Sequence, residues 1–165
     1  MIVASAPMPA VVRFRFRSEV ARISFAMDRI MEVVQASGCV LGRENEVELA
    51  IREALSNAVV HGNHMDPDKW VSVRCECDRD KGVSIVIRDE GRGFAPRRGR
   101  LIMRSHMDQV SFEKGGHEVH LHKASVTARI RSGMPSRPIS LFPPPAPWRA
   151  AIGGLYQGPV GLSTH

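Results

Sequence analysis

The chain has 165 residues, of which 43% are hydrophobic and 24% charged, and its formal charge is +6. That is the size and composition of one globular domain able to bury a core without disulfide or metal staples. It excludes a collagen-like fibre, a fully disordered chain and a membrane bundle, because no apolar run approaches the roughly 20 residues that span a bilayer. The N-terminus, MIVASAPMPAVV, lacks the basic and apolar regions of a secretory signal, so the expected location is the cytoplasm.

Residues 1–10 form an N-terminal extension. Residues 11–17, VVRFRFR, then alternate. Val12, Phe14 and Phe16 share one face and Arg13, Arg15 and Arg17 the other, which predicts a half-buried strand. Ser18 is placed to cap a helix. Val20, Ile23, Met27, Ile30 and Val34 follow at spacings of three and four, the pattern of an amphipathic helix ending near Gly38. A second helix is expected from about residue 43 to 61, with Val47, Ile51, Ala54, Leu55 and Ala58 as its apolar stripe. Asp66, Pro67 and Asp68 make a turn.

Strands are expected at 70–77 and 83–88, joined by a polar hairpin connection. A glycine-rich loop, residues 89–100, leads into a short apolar helix at 101–107. Two last strands, 109–113 and 117–123, are joined across Gly115 and Gly116. The order β-α-α-β-β-α-β-β predicts an α+β fold, a two-layer sandwich whose antiparallel or mixed sheet carries helices on one face.

From about Ala124 onward the composition changes. This stretch holds seven of the eleven prolines, five of the fourteen glycines, four arginines and no acid. It reads as an extended or disordered tail, residues 124–165, in which Trp148, Leu155 and Tyr156 would anchor any docking to a partner. The tail carries +4 of the formal +6, so the body offers little support for nucleic-acid binding. Cys39, Cys75 and Cys77 are odd in number and fit no zinc spacing. They read as reduced thiols packed as small apolar groups. His120 and His122 share a strand face, and without a third ligand nearby a polar face is the simpler reading.

Two clusters carry chemistry. Glu53, Asn57 and His61 stand four residues apart and form one stripe beside the apolar face of the second helix. That spacing also occurs on solvated helix faces. Asp89-Glu90-Gly91-Arg92-Gly93-Phe94 follows the apolar strand. A carboxylate there can accept a hydrogen bond from an exocyclic amine such as that of adenine, and the glycines let backbone approach a ligand. The same residues would also make a plain turn.

Together, EVELAIREALSNAVVHGN and, about 30 residues later, VSIVIRDEGRGF resemble the ATP-binding domain of the GHKL superfamily. Within it the chain is most similar to bacterial anti-sigma factor serine kinases, the switch-protein kinases. LIMRSHMDQVSFEKGGHEVHLHK resembles their C-terminal helix and closing hairpin, so the likeness runs over about residues 11–123.

The resemblance implies a Bergerat sandwich holding ATP and Mg²⁺ between helices and sheet. Glu53 matches the general base that activates a serine hydroxyl of the protein substrate. Asn57 matches the asparagine whose side-chain oxygen binds Mg²⁺. Asp89 matches the adenine-reading aspartate, and Gly91 and Gly93 the glycines of its box. Gly99 resembles the last glycine of the second glycine box, whose backbone N–H groups receive phosphate. His61, Gly62 and Asn63 resemble the close of the asparagine-bearing helix.

The implied role is an anti-sigma factor that binds a sigma factor and phosphorylates a STAS-type antagonist. The implied protein is a homodimer with no membrane or direct nucleic-acid contact. The departure lies between Phe94 and Leu101. Only residues 95–100 stand where the family places its ATP lid. Arg97 replaces a glycine there, and Arg100 an apolar residue. Arg97, Arg98 and Arg100 could pair with phosphate oxygens or form a solvated basic turn. The shortened lid keeps a second reading open, an anti-sigma protein that acts by sequestration with weak or no phosphoryl transfer.

Overall fold

A computed structural model describes residues 8–92 and 97–133. The alternating segments form five strands: β1 (Ala10–Arg17), β2 (Trp70–Asp78), β3 (Gly82–Arg88), β4 (Gln109–Glu113) and β5 (Glu118–Ala124). Every pairing is antiparallel, in the order β1-β2-β3-β5-β4. The period of two sorts the side chains as expected. Phe16, Val71, Val73, Val83, Ile85, Ile87 and Leu121 are buried on one face. Arg13, Arg15, Arg17, Arg74 and Arg88 are exposed on the other.

Helices α1 (Arg22–Ser37), α2 (Glu44–Ser56) and α3 (Arg97–His106) accompany the sheet. Their apolar stripes, with Ile30, Val34, Ile51, Leu55 and Met103 essentially inaccessible, join the strand residues in one core. The α+β sandwich is therefore the fold, with a wholly antiparallel sheet. Cys39, Cys75 and Cys77 are free thiols within this core. No helix among the described residues is long and apolar enough to cross a membrane.

Four local expectations are corrected. Ser18 does not cap α1. It is fully buried, its N–H donates to the Lys69 carbonyl at 3.0 Å, and its Oγ faces the Val59 carbonyl at 3.5 Å. The helix starts instead after Ala21 with no side-chain cap. The second helix does not run uniformly to His61. α2 ends at Ser56 and continues as a π-turn, Asn57–Gly62. Residues 97–100, read as loop, are the first turn of α3, which packs on α2. The start of the supposed tail contains a helix, α4 (Val126–Arg131). Ser125 caps it, its Oγ accepting from the Ala128 N–H at 3.0 Å and donating to the Asp80 carbonyl. Trp148, Leu155 and Tyr156 lie outside the described residues.

An ion network fastens this end of the molecule. Lys123 points into the core side of β5 and is 1% exposed. Its Nζ donates to Glu46 Oε2 at 2.7 Å and to the carbonyl of His106, the last residue of α3. Asp108 accepts from the Ala124 N–H at 2.9 Å and from Arg129 of α4 at 3.1 Å, and Arg43 lies 3.6 Å away. Burial acts to raise the Glu46 and Asp108 carboxyls, but these donors and cations outweigh it and hold both below their ordinary values. Burial draws the Lys123 ammonium below its usual value.

Carboxylates held low stabilise the folded state above their unfolded pKa and lose that contribution as pH falls through the folded one. Stability should therefore drop as pH falls below about 4, and Asp108→Asn should flatten that drop in pH-dependent urea unfolding. Lys123→Met keeps the apolar stem and removes the charge. It should lower the unfolding free energy by about 2 kcal/mol at neutral pH, less than a fully buried pair would cost because Glu46 can turn to water.

Candidate functional site

The site lies where the end of α2 meets the end of β3. A π-turn is wider than an α-turn and is often found at functional positions. Here it begins at Asn57, so Glu53 and Asn57 stay together while His61 turns to an exposed position. Of the stripe only Asn57 lines the cavity described below, with Glu53 beside it under α3 and His61 exposed, contrary to the even stripe expected from the spacing. At the far end of the turn Asn63 is buried. Its Nδ2 donates to the Trp70 carbonyl at 3.0 Å, and its Oδ1 accepts from the Glu90 N–H at 2.8 Å. One side chain thus ties the helix end to the start of β2 and the loop after β3.

Asp89 directly follows β3 and is 6% exposed. Its Oδ1 accepts from the Gly91 N–H at 2.8 Å, which folds the loop back on the carboxylate. Two close approaches explain the glycines. A Cβ on Gly91 would stand 1.7 Å from the Gly62 carbonyl oxygen, and one on Gly62 would stand 2.5 Å from the Asp89 carboxylate. Gly93 lies outside the described residues.

Asn57 and Asp89 line one small cavity of about 20 Å³, with Met103, Phe112 and His117. His117 was not singled out in the sequence for this site. The β3–β5 register brings it there: the Asp89 N–H donates to the His117 carbonyl at 2.9 Å, and His117 Nδ1 is 3.4 Å from Asp89 Oδ1. No local pattern marks it, because only strand pairing makes residues 89 and 117 neighbours.

Gly99 sits in the first turn of α3, directly over Glu53 and Asn57. A Cβ there would be 2.5 Å from both Glu53 Oε1 and Asn57 Nδ2. Asn57 Nδ2 is buried with no hydrogen-bond partner among the described residues. Arg100 lies over the Phe112 ring, 5.8 Å from its centroid.

The donor set suits an adenine nucleotide. A buried carboxylate waits for an amine, an asparagine and a glutamate stand at the other end, and a helix N-terminus with a glycine lies beside them. The chemistry fits, while the space beside Asn57 and Glu53 is filled by α3 in this structure. His120 and His122 lie away from the site, on the sheet face opposite Val119 and Leu121. His122 contacts Ser84 Oγ at 3.0 Å, and His120 contacts Glu118 at 2.8 Å. Glu113, Glu118 and His120 have ligand spacing, but Lys114 already pairs with Glu118 at 2.7 Å.

An antiparallel sheet under helices, with a buried carboxylate just after β3 and an asparagine at the helix end lining one cavity, is the arrangement of this α+β sandwich. Residues 16–123 match the histidine kinase-like ATPase domain, and the chain belongs to that family. It is similar to the anti-sigma F factor of Heyndrickxia coagulans, 31% identical over 84 residues, 51% of this chain and 57% of the relative. It is also similar to the anti-sigma F factors of Geobacillus kaustophilus (31% over 83 residues, 50% and 55%) and Shouchella clausii (36% over 50 residues, 30% and 34%). The chain thus spans about half the length, or less, of these curated relatives.

The Gly62–Gly91 contact is backbone against backbone and cannot be relieved by turning a side chain. Gly91→Ala should destabilise the protein by about 3 kcal/mol in urea unfolding. Gly62→Ala meets a side chain instead and should cost less while displacing Asp89.

Proposed function

We propose that this chain is a cytoplasmic ATP-binding anti-sigma protein that holds a sigma factor and phosphorylates a serine of a STAS-type antagonist. The observation that carries this reading is the shared pocket. Asp89 and Asn57 line one cavity, and Glu53 stands one helical turn from Asn57 on the same helix. The relatives named anti-sigma F factor support the cellular role, and the family match supports ATP as the nucleotide.

In this reading Asp89 accepts the adenine amine, and Gly91 and Gly93 contribute to binding the base. The Asn57 side-chain oxygen binds Mg²⁺. Backbone N–H groups of the α3 first turn, at and around Gly99, take phosphate oxygens. The Glu53 carboxylate takes the serine hydroxyl proton. ATP, when bound, supplies the phosphoryl group. A homodimer with no membrane or nucleic-acid contact completes the proposal.

A second reading has its own support. The cavity of about 20 Å³ has room for a single water, far less than ligand pockets of several hundred Å³. In that reading the protein sequesters its partner by contact and transfers phosphate weakly or not at all.

Two variants separate the readings. Asn57→Ala should weaken Mg-ATP binding about tenfold in calorimetry, the scale of one charge-assisted contact. Glu53→Ala should bind ATP as the wild type does and lose transfer to a STAS protein by about 100-fold or more. Equal transfer by Glu53→Ala removes the assigned base. A stable sigma-factor complex with no transfer by the wild type selects sequestration.

A further inference from the structure

The outer face of the sheet carries a charge pattern that works against the sheet itself. Strand register sets it out as a grid. Arg13 of β1 stands directly opposite Arg74 of β2. Arg15 stands opposite Ser72, which is itself opposite Arg88 of β3, and Arg17 stands opposite Trp70. All five arginines are exposed. Like charges directly opposite on neighbouring strands are destabilising. Arg15 pairs with Glu90 and Arg74 with Glu76, both at 2.9 Å, while Arg13 and Arg88 have no ion pair among the described residues. Glu118 is opposite Arg88 on β5, but its carboxylate is taken by Lys114 at 2.7 Å and His120 at 2.8 Å. Arginines on an edge strand can serve only to keep it from pairing with other chains. That role does not account for Arg74 and Arg88, which lie on inner strands.

Two of these arginines are held in place. The Arg17 guanidinium lies 4.1 Å from the centroid of the Trp70 ring and donates to the Asp68 carbonyl at 3.0 Å, and Arg15 lies 5.0 Å from the same ring centroid. A pre-organised guanidinium loses less freedom when it takes a carboxylate. Residues 13, 15 and 17 repeat at about 7 Å along the strand. An extended peptide has the same repeat, so carboxylates on every second residue match the ladder. β1 is also the edge of the sheet, with β2 its only strand partner among the described residues, and an edge can accept an added strand. A nucleic acid would bring negative charge but also bases that need an aromatic face. Trp70, the aromatic on this face among the described residues, is already covered by Arg15 and Arg17.

We propose that the outer face of β1, β2 and β3 is a docking surface for an acidic segment of a partner protein, bound extended along β1 with its carboxylates on the arginines of β1 and β2. The surface is on the side of the sheet away from the helices, and it stands apart from the nucleotide reading.

Fluorescence anisotropy on the full chain tests it, with a labelled peptide of alternating Glu and Thr as the probe. The peptide should bind at low salt, and its affinity should fall several-fold as salt rises from about 50 to about 300 mM. Arg13→Glu with Arg74→Glu should weaken binding about tenfold or more, while Arg29→Glu with Arg104→Glu, an equal charge change at exposed positions on the helices, should leave it within about twofold. A peptide of the same composition with its glutamates contiguous should bind several-fold more weakly, since alternate carboxylates then point away from the face. Arg13→Gln should bind more weakly and yet raise the urea midpoint, because it removes one of two opposed charges. A lower midpoint in that variant makes Arg13 a structural residue and overturns the proposal. Absence of peptide binding, or equal losses in the two double variants, also overturns it. So does an oligothymidylate that binds the same arginines more tightly than the peptide.

Discussion

Asp89 can lie against the end of the second helix because residues 62 and 91 carry no side chain. The Gly62 carbonyl would be 1.7 Å from any Cβ on Gly91, and the Asp89 carboxylate 2.5 Å from any on Gly62. These contacts fix the distance between helix layer and sheet at one point. The π-turn brings Gly62 to that point, and Asn63 locks it by bonding to the Trp70 carbonyl and the Glu90 N–H. The cavity, the carboxylate at its base and the asparagine at its side follow from that junction. An added methyl at either glycine has nowhere to go in this packed junction.

The other end of the sandwich is fastened differently. Lys123, Glu46, Asp108, Arg43 and Arg129 join β5, α2, α4 and the C-terminal end of α3 through ion pairs and backbone contacts. α3 is thus anchored at His106, and at its first turn Gly99 packs close over the Glu53 carboxylate and the Asn57 amide.

Much of the fold was legible in the residues. The alternation in VVRFRFR and in the two central strands fixed which face of the sheet is buried, and the apolar stripe of α1 fixed its packing. The resemblance identified the superfamily and brought Glu53, Asn57 and Asp89 forward as a group. What was not legible depends on contacts between distant segments. The π-turn bends the helix to meet Gly91, 29 positions after Gly62 in the numbering. Residues 97–100 look like loop until Glu53 is placed beneath them. His117 has no local signal, and the burial of Lys123 runs against its charge. α4 is the exception: Ser125 was a local cap signal, obscured by the proline and glycine that follow.

The central claim is that an adenine nucleotide binds between the π-turn and the end of β3. Amide chemical-shift mapping of the full chain by NMR, titrated with Mg-ATP and separately with Mg-GTP, tests it most directly. The account predicts that ATP shifts the amides of Asn63, Asp89, Gly91 and His117 first, and that GTP at the same concentration does not. Shifts confined to the arginine-bearing outer face of the sheet, or no shifts with ATP, would contradict it.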